Sequence, residues 1–412
     1  MLALLADADF RRVWLIGGLT GGLRWLELLA VGVYVLEQTG SPSMVAWMTV
    51  ARLAPMFLCG LPAGALADRY ERRTLLLLGL AVLMLVSLVL GALALTGRIT
   101  LWQIALGAFL NGVFFAADYP VRRIMTGEIA GIDRLGQAMA LDSATGNATR
   151  MLGPALGGLL LETVGLQGAY LLGAGLYLVS IVLILRLRSR STRFEGRGGG
   201  ILTRLREGWS FVRNSRVIVG ALMVTLVVNF WGFAYITMVP VIGERVLQLS
   251  AFPIGLLMSI EGLGALLGAL VIGPFIRPRT YTRVYLLSSF VFLLAVLAFA
   301  LSAVFPLSLA LNLICGFSLA GFSVMQVTIT FLAARPEVRS RVMGVLTVCI
   351  GAGPLGMLHL GWLADALGAA AAVQIMAIEG LVALALTAVV WPEMWRATEL
   401  APAPVDAADT RG

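Results

Sequence analysis

Several charged and polar side chains of this chain lie inside long apolar runs, where their chemistry depends on what surrounds them. A carboxylate in a poorly hydrated cavity holds a proton more readily, and a nearby arginine favours its ionised form. If that arginine moves, the carboxylate binds or releases a proton. These considerations predict a pathway for substrate and protons that is lined by Arg24, Glu27, Asp118, Arg122, Asn229, Glu261 and Gln326.

The spacing of the first four residues leaves two interpretations open. Arg24 and Glu27 are three residues apart, and Asp118 and Arg122 are four apart, so each pair shares one face of a helix. Either pair is a permanent structural ion pair, or its carboxylate carries the proton.

Three other ionisable residues in apolar runs are given structural interpretations. Arg52 and Arg150 are expected to bridge carboxylates inside the N-terminal half of the chain. His359, the sole histidine, is interpreted as a packing residue rather than a proton carrier.

The composition indicates whether these residues belong to a soluble or a membrane protein. Of the 412 residues, 59% are hydrophobic and only 13% are charged, whereas soluble domains carry about 25% charged residues. The mean hydropathy is +0.94. The chain is therefore predicted to be a polytopic helical membrane protein, which excludes a secreted protein, a cytosolic enzyme and a porin. No Walker, metal-cluster or Ser-His-Asp pattern is present, and neither an enzyme activity nor a cofactor or metal is expected.

Twelve apolar runs reach the roughly 20 residues that a membrane-spanning helix needs. We predict an all-α membrane protein whose twelve helices form two pseudo-symmetric six-helix bundles. The predicted spans are 13–36, 43–67, 74–96, 100–122, 137–161, 166–187, 216–240, 252–276, 282–304, 306–332, 341–365 and 369–391.

The longest interruption of the hydropathy pattern predicts the domain boundaries. Residues 1–187 form the first bundle and residues 216–396 the second. The basic, Gly-rich linker 188–215 between them is expected to hold a short amphipathic helix on the membrane surface. The tail 397–412 is expected to be disordered.

The arginines predict the orientation in the membrane. All 30 basic residues are Arg, and with a cytoplasmic N-terminus 25 of them fall in inner loops and tails and only two in outer loops. Cytoplasmic loops are enriched in Lys and Arg. A multi-pass protein of the inner (cytoplasmic) membrane with both termini in the cytoplasm is predicted. The basic net charge therefore reflects contact with the lipid bilayer, and no nucleic-acid partner is expected.

The two predicted halves repeat short patterns in the same order. Gly153-Pro154 recurs as Gly353-Pro354, and Glu162-Thr163-Val164-Gly165 is echoed by Asp365-Ala366-Leu367-Gly368. Duplicated six-helix halves are typical of transporters that rock one half against the other.

A charged loop between predicted helices 2 and 3 carries a recognisable motif: Gly64, Asp68, Arg69, Arg72 and Arg73. The loop resembles the signature of the major facilitator superfamily, although Glu71 stands where the family usually has Gly. The resemblance implies that Asp68 latches the inner ends of the two halves near Arg341. The alternative for Arg72 and Arg73 is that they only anchor the loop at the membrane surface.

Predicted helix 5 carries a second motif, formed by Asn147, Arg150, Gly153, Pro154, Gly157 and Gly158. It resembles the antiporter motif of exporters in the superfamily, without that motif's upstream glycines. The alternative is a packing kink with no bearing on the direction of transport. The N-terminal region resembles the group that includes the enterobactin exporter and macrolide efflux proteins.

The resemblance implies a central cavity lined by helices 1, 4, 7 and 10, which favours Glu27 and Asp118 as proton carriers. It places Glu379 on a peripheral helix. Phe109 stands where drug exporters of the main proton-coupled group carry an arginine in helix 4. Proton coupling is therefore implied by the resemblance to the exporter group and not by a residue of this helix.

The function predicted first is efflux of small amphipathic molecules, such as a drug or a siderophore-like metabolite, by a proton-coupled monomer. Two alternatives stay open: a proton-coupled nutrient importer, and a membrane sensor or assembly partner that does not transport.

Overall fold

Long helices account for most of the fold. The computed structural model describes residues 2–69, 71–131, 134–187, 213, 215–275, 278–334 and 339–396. After a short helix at Leu2–Ala6, twelve helical segments follow, named α1 to α12 in chain order. They are Ala8–Thr39, Pro42–Arg69, Arg72–Leu95, Leu101–Ala130, Leu135–Thr163, Leu166–Leu185, Arg216–Arg245, Ala251–Phe275, Tyr281–Leu301, Phe305–Ala333, Arg339–Ile350 continued by Gly353–Leu367, and Ala369–Val390.

The lengths and hydropathy of these helices confirm the predicted all-α membrane fold. Ten of them are long and apolar enough to cross a membrane. The other two, α2 and α5, contain 28 and 29 residues, which is also enough to span about 30 Å of hydrocarbon. Several helices extend beyond the predicted spans, because a helix continues into the polar zone where hydropathy no longer marks it.

Two predicted features fall on parts of the chain outside the described residues. They are the amphipathic helix of the linker and the disordered C-terminal tail.

Two of the helices change their geometry part-way along. α7 runs as an α-helix to Val227, continues as a π-helical turn over Val228–Gly232 and a 3₁₀ turn over Phe233–Thr237, and ends as Val239–Arg245. α11 is interrupted just before Gly353-Pro354, so its proline begins a new helical segment. By contrast, α5 continues through Pro154.

The helices end on two sides of the bundle, and each side is named after one glycine. The odd-numbered helices end on the Gly40 side, and the even-numbered helices end on the Gly131 side. Gly40 ends α1 with a φ of 61°, a left-handed conformation that glycine adopts without steric cost.

Helices α5 and α8 pack across the seam between the two halves at backbone distance. A Cβ atom at Gly255 would lie 2.5 Å from the carbonyl oxygen of Pro154, and one at Gly262 would lie 2.7 Å from the amide nitrogen of Met151. A Cβ at Gly158 would collide with the carbonyl oxygen of Ala251. Small residues allow such close approach between membrane helices, and here they join the two bundles.

We predict that Gly255→Val destabilises the seam, because overpacking a tight contact costs roughly 1–3 kcal/mol. The thermal midpoint of the detergent-solubilised protein should fall. Gly175→Val in α6 is the matched control, since a Cβ at Gly175 meets nothing within 4 Å. Equal midpoints for the two variants would contradict the close packing.

Candidate substrate and proton pathway

A buried polar cluster in the N-terminal half centres on Glu27. Its Oε2 accepts hydrogen bonds from Arg52 Nη2 at 3.4 Å and from Asn111 Nδ2 at 3.1 Å. Arg52 also donates to Asn111 Oδ1 at 3.1 Å, and Asn111 Nδ2 lies 3.2 Å from the hydroxyl of Tyr177. The carboxylate of α1 is thus held by residues of α2 and α4, and α6 contributes to the same network.

The Glu27 cluster borders a cavity. Its free interior is only about 20 Å³, which is room for about one water molecule, and Glu27, Arg52 and Asn111 all contribute to its lining. A second, smaller space shares part of that lining and extends to α7 and α8, where Thr237 and Met258 line it. The cluster is therefore within reach of the seam between the two halves.

Glu27 is held by residues of other helices rather than by Arg24 of its own helix. The hydrogen bonds recorded for Glu27 come from Arg52 and Asn111. The guanidinium carbon of Arg24 lies 3.7 Å from the ring centroid of Phe115, a cation–π distance. Spacing within one helix identified a shared face, but the neighbouring helices determine which partner the carboxylate meets.

Asp118 belongs to a second buried cluster. Arg122 Nε lies 3.5 Å from Asp118 Oδ2, and Arg122 Nη1 lies 2.6 Å from Asp142 Oδ1. Arg123 also reaches Asp142, at 3.4 Å. The guanidinium of Arg122 packs directly against Gly17 of α1, in space that a side chain at position 17 would enter.

One atom of this cluster lacks a hydrogen bond. Asp118 Oδ1 is buried and has no hydrogen-bond partner among the described residues, whereas buried polar atoms are normally satisfied. The roles predicted for Glu27 and Asp118 as proton carriers stay predictions.

Arg150 crosses the seam instead of bridging carboxylates within its own half. Its Nη2 lies 2.7 Å from Glu261 Oε1 in α8, and its guanidinium carbon is 5.1 Å from the ring centroid of Trp25. The side chain of Glu261 is only 3% exposed. The expectation for Arg150 was wrong because the charge that it meets belongs to the other bundle.

The glycines of the α5 motif divide between two neighbours. Gly153 and Gly157 lie against the backbone and side chains of α1, and Gly158 lies against α8. Next to them, Ser259 Oγ of α8 accepts a hydrogen bond from the amide of Ala155 at 3.0 Å. Asn147 is half-buried on the same helix. The motif thus fits α5 between α1 and the opposite bundle.

The polar residues predicted in the C-terminal half lie in a network without charges. Gln326 Nε2 donates to Thr225 Oγ1 at 3.2 Å, and Thr225 Oγ1 lies 2.8 Å from the hydroxyl of Tyr285. Asn229 Nδ2 donates to the carbonyl of Thr225 at 2.9 Å. Asn229 and Gln326 are both buried, and in this state their amide groups donate hydrogen bonds within the C-terminal half.

The charged loop after α2 is described only in part. Arg72 Nη1 lies 2.5 Å from Glu128 Oε1 at the end of α4, and Arg73 donates to the carbonyl oxygen of Leu185 at 2.7 Å. Both arginines therefore bind helices of the N-terminal half. The surroundings of Gly64 and the side chains of Asp68, Arg69 and Arg341 lie outside the described part of the structure, so the latch stays a prediction.

The two halves meet again on the Gly40 side through a matched pair of carboxylates. Glu162, at the end of α5, accepts from the amide of Phe252 at the start of α8 at 2.9 Å. Asp365, at the end of α11, accepts from the amide of Ser43 at the start of α2 at 3.2 Å. Each acid thus lies at a helix N-terminus of the opposite half, where negative charge is favoured. Arg245 also donates to the carbonyl of Gly40.

The sequence contained a signal for these two acids, although it did not predict their role. They occupy equivalent positions in the repeated pattern of the two halves. A repeat shows that two positions correspond, and only the packing of α5 on α8 and of α2 on α11 shows what each position contacts.

A comparison with protein families decides the class of the protein. The family model of the Major Facilitator Superfamily matches residues 13–353. The chain belongs to the Major Facilitator Superfamily. It is a multi-pass membrane protein and a transporter, as the charged loop and the repeated halves indicated.

Several relatives in this superfamily have names that state a function. The chain is 24% identical to the staphyloferrin A transporter of Staphylococcus aureus, over 86% of this chain and 89% of the relative. It is 28% identical to the multidrug efflux pump Tap of Mycolicibacterium fortuitum, over 95% and 97%. It is 27% identical to the enterobactin exporter EntS of Shigella boydii, over 80% of each.

A solved structure shares the fold. It is a bacterial homologue of the human lysosomal transporter Spinster in an inward-facing, occupied conformation, with a TM-score of 0.74 and 14% identity. The match covers 96% of this chain and 98% of that structure.

We predict that Arg52→Gln destabilises the N-terminal bundle by about 3 kcal/mol, because removing one partner leaves a buried charge uncompensated. The double variant Glu27→Gln/Arg52→Gln should recover part of that loss. Thermal unfolding of the four proteins in detergent measures the coupling. Additive losses in the double variant would contradict the interaction.

We also predict that Glu162→Gln combined with Asp365→Asn opens the Gly40 side more often. Each carboxylate at a helix N-terminus contributes roughly 0.3–1 kcal/mol. Spin labels at positions 98 and 304, both in exposed connections on that side, should show a larger population of long distances. Asp9→Asn, on the Gly131 side, is the control. An unchanged distance distribution in the double variant would rule out a closing role for the two acids.

Proposed function

We propose that this transporter exports small amphipathic molecules, drugs or siderophore-like metabolites, in exchange for protons and by alternating access. The names of Tap and EntS support efflux, and the α5 motif resembles that of antiporters. We also propose that the protein works as a monomer, with both termini in the cytoplasm and the Gly131 side facing it. The division into bundles at 1–187 and 216–396 and the linker 188–215 belong to the same proposal.

One observation carries the coupling mechanism: the Arg150–Glu261 ion pair spans the seam between the bundles at 2.7 Å. Arg150 is near the middle of α5 and Glu261 near the middle of α8. Rocking of one bundle against the other changes the distance between these helices at that depth. Such movement breaks or remakes the pair once in each cycle.

A broken pair provides the step that couples transport to protons. Leaving Glu261 charged and unpaired in a buried position is costly, and a buried group in that situation is neutralised instead. Glu261 therefore takes up a proton when Arg150 withdraws and releases it when the pair re-forms. Glu27 and Asp118 are the two further carboxylates that such a cycle can use.

The state represented by the structure fits the start of an export cycle. Among the described residues, the hydrogen bonds between the halves lie at mid-depth, at Arg150 and Ala155, and on the Gly40 side, at Gly40, Ser41, Ser43 and Phe252. With the Gly131 side in the cytoplasm, this is a state closed to the outside. Substrate then enters from the cytoplasm or from the bilayer.

The test of the function uses purified protein in liposomes with an imposed pH gradient and an internal pH dye. Macrolides, cationic dyes and siderophores are added one at a time. Proton flux opposite to the substrate supports exchange and ranks the substrates. Flux in the same direction as the substrate favours the importer, and no flux with any compound favours the non-transporting alternative.

We predict that Glu261→Gln separates substrate movement from proton movement. The variant should still bind substrate and exchange it between the two sides, but proton flux should fall at least about tenfold, because the side chain that accepts the proton is gone. Glu393→Gln, outside the predicted spans, is the matched control. Proton flux at the wild-type level in Glu261→Gln would remove this residue from the mechanism.

A further inference from the structure

A separate polar cluster lies in the crevice between α11 and α12. Trp231 Nε1 donates to Glu379 Oε2 at 3.0 Å, and His359 Nε2 lies 3.9 Å from the same oxygen. The ring of Phe230 is 4.7 Å from that of Trp231 and 6.1 Å from that of His359, between centroids. Two aromatic side chains therefore contact one carboxylate, and the ring of Phe230 packs against both of them.

The π-helical turn of α7 forms the floor of this crevice. Phe230 and Trp231 belong to the turn Val228–Gly232. Gly356 of α11 lies against the backbone of Phe230, and Gly380 of α12 lies against the Cβ of Trp231. π-helical turns inside α-helices occur frequently at functional sites. Here the turn presents an indole N–H to a carboxylate of the neighbouring helix.

The cluster opens toward the hydrocarbon rather than toward the seam. Glu379 is the eleventh of the 22 residues of α12, which places it near the middle of the membrane. Its side chain is 44% exposed, and that of His359 is 37% exposed. The exposed residues on the same helix faces are apolar: Leu355, Trp362, Ile378 and Val382.

A half-exposed carboxylate at this depth needs a partner. Charged residues within membrane helices almost always face the bundle interior or pair with another group. Among the described residues, the partners of Glu379 are an indole N–H and an imidazole 3.9 Å away, and neither of them carries a permanent positive charge. An organic cation would compensate that charge, and aromatic faces add cation–π attraction.

We propose that the crevice between α11 and α12 is a lateral binding site for amphipathic organic cations that approach from within the bilayer. The ammonium group pairs with Glu379 beside the rings of Trp231, Phe230 and His359. The alkyl part lies in the hydrocarbon along Trp362 and Val382. The site does not depend on the direction of transport or on proton coupling, because binding here is an equilibrium with the bilayer.

The experiment uses the quenching of tryptophan fluorescence by bromine. The full-length protein is placed in nanodiscs of phosphatidylcholine, which has no net charge. Two probes are compared: a long-chain trimethylammonium that carries bromine on the carbon atoms next to its headgroup, and the alcohol with the same brominated chain. In the wild type, the cation should quench a saturable fraction at a concentration about tenfold lower than the alcohol requires.

Variants assign that saturable fraction to the site. It should disappear in Trp231→Phe, which removes the reporter, and should need about tenfold more cation in Glu379→Gln. His359→Gln should bind the cation at least as well as the wild type, because the carboxylate remains. Trp362→Phe, on the apolar rim, should reduce quenching by both probes equally.

Competition within the wild type keeps the test independent of folding of the variants. The same ammonium without bromine should relieve quenching, and the alcohol without bromine should not. Identical concentration curves for the two brominated probes would overturn the proposal. So would an unchanged saturation in well-folded Glu379→Gln, or equal relief by the two unbrominated competitors.

Discussion

The Arg150–Glu261 ion pair imposes the constraint on which the rest of the seam depends. Two opposite charges at mid-depth are tolerated only at close range and away from lipid. That distance is reached because Gly255 and Gly262 let the α5 and α8 backbones approach to contact. The ring of Trp25 then borders the guanidinium from α1. These α8 glycines and Gly158 of the α5 motif therefore act through geometry, by bringing one bundle close enough to the other for the charge pair to form.

The same constraint arranges the interior of the N-terminal bundle. Glu27 is held by Arg52, and Asp118 shares Arg122 with Asp142. Every one of these acids lies within reach of an arginine. In the C-terminal bundle, the network of Thr225, Tyr285 and Gln326 carries no charge. The two halves thus repeat a fold while these buried networks differ: ion pairs hold the N-terminal one together, and hydroxyl and amide groups hold the C-terminal one, whose half contributes Glu261 to the seam.

Hydropathy was sufficient to predict the helices, because lipid imposes a length and a composition on each span. The partners of the buried charges were harder to predict. A spacing of three residues puts Arg24 and Glu27 on one face of α1, but it does not show which side chains of α2 and α4 face that surface. Arg150 illustrates the limit most clearly, because its partner lies 111 positions away in the other bundle. The acids Glu162 and Asp365 were visible in the sequence as a repeat. Their contacts became clear only from the packing of α5 on α8 and of α11 on α2.

Helix α7 is the point at which the two halves differ most in local geometry. Its counterpart α1 is one unbroken helix of 32 residues, whereas α7 passes through a π-helical and then a 3₁₀ turn. These turns change the direction in which successive side chains point. Trp231 reaches α12, while Tyr235 reaches Asn312 in α10 at 3.4 Å. A change in the π-helical turn would therefore act on the lateral crevice and on the interior of the bundle together, since one short segment supplies side chains to both.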